Sequence, residues 1–194
     1  MTVDYGSLLV SQLEFYWDMH LRPRLDGLTD EEYLWEPVPG CWTVRPDGAG
    51  GFAHDGYQQH PTPAPFTTLA WRIVHVATAM STRTSTFFTD SGEADMFDLR
   101  HWPASIPGTA ADGIAFLSTS YREWHDHIAA LSAEELERPL GPKGAFFANE
   151  PMAALIVHVN REVMHHGGEI GVLRDLYRLR DAGPAAAGWP PRRG

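Results

Sequence analysis

Near the end of the chain a glutamate and a histidine stand on a helical stripe where a bundle ordinarily puts leucine. Residues were projected at about 100° per position with His166 as the reference direction. Leu155, Val159, Val163, Ile170, Leu173 and Tyr177 then fall within about 60° of it, whereas Arg161, Met164 and Asp175 fall on the far side. Glu162, one turn earlier, lies about 40° away on the same apolar face. Burying an ionised carboxylate without a partner is costly. A hydrogen-bonded Glu–His pair would meet that cost, and so would a divalent metal ion, for which an i,i+4 pair is a recurrent ligand source.

A third group can reach the same place. In the segment LAWRIVHVATAMSTRTSTFFTD, Leu69, Ile73, Val76, Met80 and Phe87 share one side, and His75 shares another with Thr68, Trp71, Arg72, Ala79 and Thr82. That second face mixes small, hydroxyl and cationic residues, as does a helix lining a polar cleft. His75, Glu162 and His166 are therefore the candidate catalytic and metal-ligating set. Two imidazoles and one carboxylate leave coordination positions open, which suits a catalytic ion better than a structural one. Arg72 and Trp71 are the candidates to hold a cofactor or substrate, Arg72 by a bidentate pair with a carboxylate and Trp71 as a pocket wall. A salt bridge from Arg72 to Glu162 or to another helix is the alternative. Glu169 can orient His165 or His166 through a ring N–H, and His158 is a partner at the edge of the site or a solvent-edge residue. His125 and His127 diverge at i,i+2 and are assigned to the surface. Cys41 has no neighbouring base and is given no nucleophilic role.

These residues need four long helices to position them. The first is expected from about Tyr5 to Leu25, with Leu8, Leu9, Leu13, Tyr16 and Trp17 on one face. The second opens at Thr67 or Thr68, the third near Thr109 and the fourth after Pro151. Thr29 or Asp30 and Ser132 start short capped helices. Residues 37–65 are too rich in Gly and Pro for a regular element and read as a long loop. Gly167, Gly168 and Gly171 weaken the fourth helix, at up to about 1 kcal/mol each relative to Ala. The expected architecture is all-α, a four-helix bundle over residues 1–182 with a long crossover loop, short capping helices and a loose tail at 183–194.

Composition narrows the partners. The chain has 194 residues, 15 Lys+Arg against 25 Asp+Glu, ten His and one Cys. A net charge of −10 repels phosphate backbones and anionic lipid, so neither nucleic acid nor a membrane surface is an expected partner. A lone Cys cannot form an internal disulfide, and the N-terminal residues carry no basic n-region. The expectation is a cytoplasmic protein acting on a small molecule. With no thiolate ligand at hand, any metal is held by nitrogen and oxygen. A homodimer is expected, with the aromatic residues of the first and third helices as its surface.

His75, the run NREVMHHGGEI at 160–170 and LRDLYR at 173–178 together resemble the DinB superfamily. The branch is the one related to mycothiol-dependent maleylpyruvate isomerase. The segments LRPRLDGLTDEEYLWEPVPGCWTVRP and PFTTLAWRIVHVA fall in the corresponding order, so the resemblance spans nearly the whole chain. It implies a four-helix bundle holding a divalent metal, commonly zinc or nickel, through one residue of the second helix and two of the last. It also implies that the metal activates a low-molecular-weight thiol, mycothiol-like, for S-transfer or isomerisation. By position His75 is the first ligand and His166 the last, and the middle position, a His in much of the family, is Glu162 here. That exchange disfavours soft ions and favours harder or borderline ones, iron and manganese included. His165 is the substitute ligand if the helix unwinds at its glycines. A metallohydrolase with Glu169 or His165 as base and a non-catalytic, stress-associated metal- or ligand-binding protein are the alternatives.

Overall fold

The computed structural model describes residues 3–56 and 61–181; the expected tail at 183–194 lies outside them. Four long helical segments pack around one core. The first is α1 (Tyr5–Tyr16), continued by a π-helical turn, Trp17–Leu21, and a 3-10 turn, Arg22–Leu25. After the short α2 (Asp30–Leu34) come β1 (Val44–Pro46) and β2 (Phe52–His54), then the long helices α3 (Leu69–Phe88) and α4 (Ala110–Ala129). The short α5 (Ala133–Glu137) and a 3-10 segment, Gly141–Phe147, lead to α6 (Met152–Leu179), the longest helix.

Side-chain oxygens set where these helices begin, by accepting from backbone N–H groups that have no partner within the helix. Asp4 accepts from Ser7 N, Thr29 from Glu32 N, Thr68 from Trp71 N and Thr109 from Asp112 N. Ser132 and Glu135 form a reciprocal capping box at the start of α5.

The apolar faces meet in a single core that includes Leu13, Ile73, Met80, Leu117, Val163 and Ile170. Trp17 stacks flat on Tyr121 with ring centres 3.9 Å apart. The buried Trp124 indole N–H donates to Asn160 Oδ1 at 3.3 Å, and Asn160 Nδ2 donates to the Leu9 carbonyl at 3.1 Å. Here two polar side chains enter the core with hydrogen bonds made. Trp17, Tyr121 and Trp124 are consumed within the chain's own core, which leaves Tyr5 and Phe15 as exposed aromatics on α1. No helix among the described residues is long and apolar enough to cross a membrane.

One expectation is corrected, and one, a fourth helix running through its glycines, holds. Segment 37–65 contains a regular element after all, an antiparallel hairpin in which Val44 pairs with His54 and Pro46 with Phe52. Asp47 builds its turn by accepting from Ala49 N at 2.7 Å and Gly51 N at 2.9 Å, and Gly48 and Gly50 supply the left-handed backbone. The glycines read as loop residues are turn residues. The glycines of α6, in turn, do not break it, and the helix runs continuously through all three. Gly167 is where Tyr16 packs, since a Cβ there would stand 2.6 Å from the Tyr16 hydroxyl. Close approach of α1 and α6 offsets the lower helix propensity.

Candidate metal centre between α3 and α6

His75 projects from the middle of α3, and Glu162 and His166 project one turn apart from α6. One ligand atom from each lies within 4.8 Å of the other two. Glu162 Oε2 is 3.3 Å from His166 Nε2 and 3.9 Å from His75 Nε2. The rings of His75 and His166 meet edge to face, 4.7 Å between centres. The structure therefore brings together the three residues that spacing had put on facing helices.

Their surroundings fix each donor. His166, 8% exposed, has its Nδ1 2.6 Å from Glu169 Oε2, and Arg72 Nη1 stands 2.9 Å from both atoms. A guanidinium only donates, so Glu169 Oε2 accepts from Arg72 and from the Nδ1–H of His166. Burial lowers the pKa of His166, with the nearby charges of His75 and Arg72 adding to this and the bond to Glu169 opposing it. The ring is therefore neutral near pH 7, and with its proton on Nδ1 it turns a bare Nε2 lone pair toward Glu162. That carboxylate is ionised. The His75 ring holds its pKa down to about 2, with His166 and His158 adding to the effect and burial opposing it. A lone pair and a carboxylate oxygen 3.3 Å apart repel each other unless a cation stands between them, so the donor set fits a divalent ion. Two nitrogens and one oxygen suit borderline ions.

The third donor is held by aromatic packing. Trp71 stacks on His75 with ring centres 4.7 Å apart and on its other side meets His54 at 4.8 Å and Trp42 at 5.9 Å. The Trp71 indole N–H donates to the Asp55 carbonyl at 2.8 Å. The hairpin thus clamps the α3 side of the site. His54, whose pKa burial pushes down to about 4, belongs to this clamp. Sequence reasoning missed it, because no helical or alternating period runs through 37–65 to mark it.

The remaining assignments sort clearly. Arg72 takes the salt-bridge alternative, with Glu169 rather than Glu162 as its partner on α6. Glu169 orients His166. His165 is exposed and sits 3.6 Å from Glu169 Oε1. The unwinding that would bring it in as a ligand does not occur. His165, His166 and Glu169 also cluster closely enough for an ion. In that group, however, Nδ1 of His166 and Oε2 of Glu169 already bond each other. His158 is half exposed, 3.9 Å from Glu162 Oε1 and 2.7 Å from Arg161 Nη2. His125 and His127 diverge as expected, but both are half buried, His125 against Glu14 at 2.8 Å and His127 stacked on Phe88. Cys41 is buried, and its thiol donates to the Val38 carbonyl.

Beside the triad a cavity of about 250 Å³ opens, bordered by His75, Glu162, Thr78, Thr82 and Trp102. Trp102 comes from the α3–α4 connection, which supplies one wall of the cleft.

A family model described as DinB superfamily matches residues 12–170. That span includes all of α3 and the part of α6 that carries Glu162, His166 and Glu169. No curated protein matches the chain.

Proposed function

Because the chain belongs to the DinB superfamily, we propose that it is a divalent-metal-dependent enzyme in which His75, Glu162 and His166 hold the ion. The reaction class is S-transfer or isomerisation through a low-molecular-weight, mycothiol-like thiol. The observation that carries this reading is the convergence of the three donor atoms, with the Nε2 lone pair of His166 aimed at an ionised carboxylate. Zinc or nickel best suits the donor set, and iron or manganese is compatible with it.

A bound divalent ion would lower the pKa of a coordinated thiol and supply thiolate at neutral pH. The protein's own residues prepare for that. Glu169 keeps the His166 proton on Nδ1, and Arg72 neutralises Glu169, so that Glu169 stays an acceptor. Trp71 fixes the plane of the His75 ring. The cavity beside His75 and Glu162 leaves room for an electrophile next to the site.

The alternatives are less well supported. A metallohydrolase needs a free base. Glu169 is taken by two donors, and His165 faces Glu169 from the solvent side. A purely structural bundle would fill the cleft with side chains, and the cleft is open.

Elemental analysis of protein expressed in supplemented medium should find about one divalent ion per chain. Zinc or nickel should raise Tm, and His166→Ala should remove that rise. Mass spectrometry with a thiol and an electrophile should detect conjugate rather than hydrolysis product. Absence of stoichiometric metal, together with an unchanged Tm response in His166→Ala, would sink the proposal.

A further inference from the structure

Arg83 lies two turns beyond His75 on α3 and borders two adjoining cavities. One is the cavity beside the triad. The other, about 340 Å³, is walled mainly by the apolar Met96, Phe97, Leu140, Phe147, Ala154 and Leu155, with Glu150 and His158 also on its lining. Met96, Phe97 and His158 also border both, so the cleft runs from a polar end at the triad to an apolar chamber with Arg83 at the junction.

The guanidinium is held in place but not neutralised. Its Nη1 donates to the Met96 carbonyl at 2.7 Å and to Thr82 Oγ1 at 3.3 Å, and the Phe97 ring lies 5.7 Å from its Cζ. Among the described residues no carboxylate stands within ion-pair distance of Arg83, and its other nitrogens have no hydrogen-bond partner. Nearby acids do not serve it. Asp98 is paired with Arg100 at 2.6 Å, Glu150 shares the larger cavity and Glu162 the smaller one with Arg83, and neither glutamate forms an ion pair with it. In a chain with 25 acids against 15 bases the omission is telling, because the other inward-facing arginines, Arg72 and Arg174, each have a glutamate. An arginine cannot shed its charge, and burial makes an unpaired one costly. One fixed positive charge suits a monoanion better than a dianionic phosphate.

We infer that Arg83 binds the carboxylate of an organic acid whose apolar body occupies the chamber of Met96, Phe97, Leu140, Phe147 and Leu155. Eight residues of helix separate Arg83 from His75 by roughly 12 Å along the axis. An acid bridging the two therefore carries its carboxylate several bonds from the atom that reaches the triad. That this acid is the substrate rests on the metal-centred reading proposed above; its binding does not.

Calorimetry with 4-phenylbutyrate and its neutral isostere 4-phenylbutanamide, on metal-loaded and metal-stripped protein, tests the assignment. The acid should bind at least about tenfold tighter than the amide, as a charge-assisted hydrogen bond to arginine predicts. Arg83→Gln should bring the acid down to the affinity of the amide and leave the amide within about twofold of wild type. Ala154→Phe, which fills the chamber and leaves the guanidinium in place, should weaken both probes. If Arg83→Gln does not fold, the wild-type acid-to-amide ratio and the Ala154→Phe loss decide. Equal binding of acid and amide to the wild type, undiminished acid binding in Arg83→Gln, or binding of neither probe at millimolar concentration would overturn the inference. Acid-selective binding by protein that takes up no metal would sustain this inference and remove the proposed reaction. A metal-loaded protein without acid selectivity would do the reverse.

Discussion

Helix α6 takes part in two carboxylate clusters a few turns apart, one buried and one partly exposed, and they are built on opposite principles. At its C-terminal half Arg174 meets Glu32 of α2, with side-chain exposures of only 3% and 5%. Nε and Nη2 of the arginine donate to the two carboxylate oxygens at 2.8 and 3.0 Å. Its Nη1 donates to the Arg24 and Asp26 carbonyls, so four of its five N–H donors are used. At the middle of α6 Glu162 meets two imidazoles, and the Nδ1 proton of one of them, His166, is committed to Glu169. The first cluster cancels its own charge and locks α6 to the turn after α1. The second leaves charge uncancelled beside an open cavity, which is the character of a binding site.

Breaking the closed cluster should have the largest effect. Arg174→Ala strands the buried Glu32 carboxylate, and urea unfolding should show a loss of about 3–5 kcal/mol. Replacing both partners with apolar residues, Arg174→Met with Glu32→Leu, should recover most of it. A loss under about 1 kcal/mol in the single variant would mean that the pair is not closed as described.

The open cluster should respond in affinity rather than in folding. Glu169→Gln removes the negative charge from the acceptor that holds the Nδ1 proton of His166, and metal affinity by chelator competition should fall about 10- to 100-fold. Thermal stability of the metal-free variant should stay near wild type. Unchanged affinity would show that Glu169 does not set the orientation of His166.

A third, more exposed pair gives the smallest effect. Burial lowers the pKa of His125, but hydrogen bonds from Asp126 and Glu14 outweigh it, and the net shift is upward. A raised folded pKa means that the stabilisation is complete below the unfolded value, near pH 6.5, and is lost as pH rises through the folded one. Solvent screening limits it to less than about 1 kcal/mol. Denaturation at pH 6 and pH 9 should show wild type ahead of His125→Gln at the lower pH and level with it at the higher. A pH-independent gap would assign the contribution of His125 to packing.

The residues that could be read in advance obey local rules. Thr68, Thr109 and Ser132 mark helix starts through a short hydroxyl geometry, and the stripe around His166 follows from the pitch of the helix alone. Helical pitch also placed Arg72 on the polar face with His75, although its choice of Glu169, far along the chain, had to wait for the structure. The hairpin escaped notice because its two strands are three residues each and its turn chemistry sits in Asp47 and two glycines that also suit a loop. The fourth helix was legible through its glycines, but the reason for Gly167 was not, because what it accommodates, Tyr16, belongs to another helix. Arg83 was invisible for a different reason. Lacking a partner is a property of the whole packed molecule, and no spacing encodes it.

The sequence distance across the site bears on how the molecule assembles. Arg72 and His166 are 94 residues apart, and Glu32 and Arg174 are 142 apart. Both clusters are thus closed by the last long helix, and until it docks His75 stands alone and Glu32 is bare. If the site holds an ion as proposed, its uptake and the docking of α6 are linked equilibria, each favouring the other. During refolding, the appearance of a metal signal would then report the moment at which the chain has finished closing on itself.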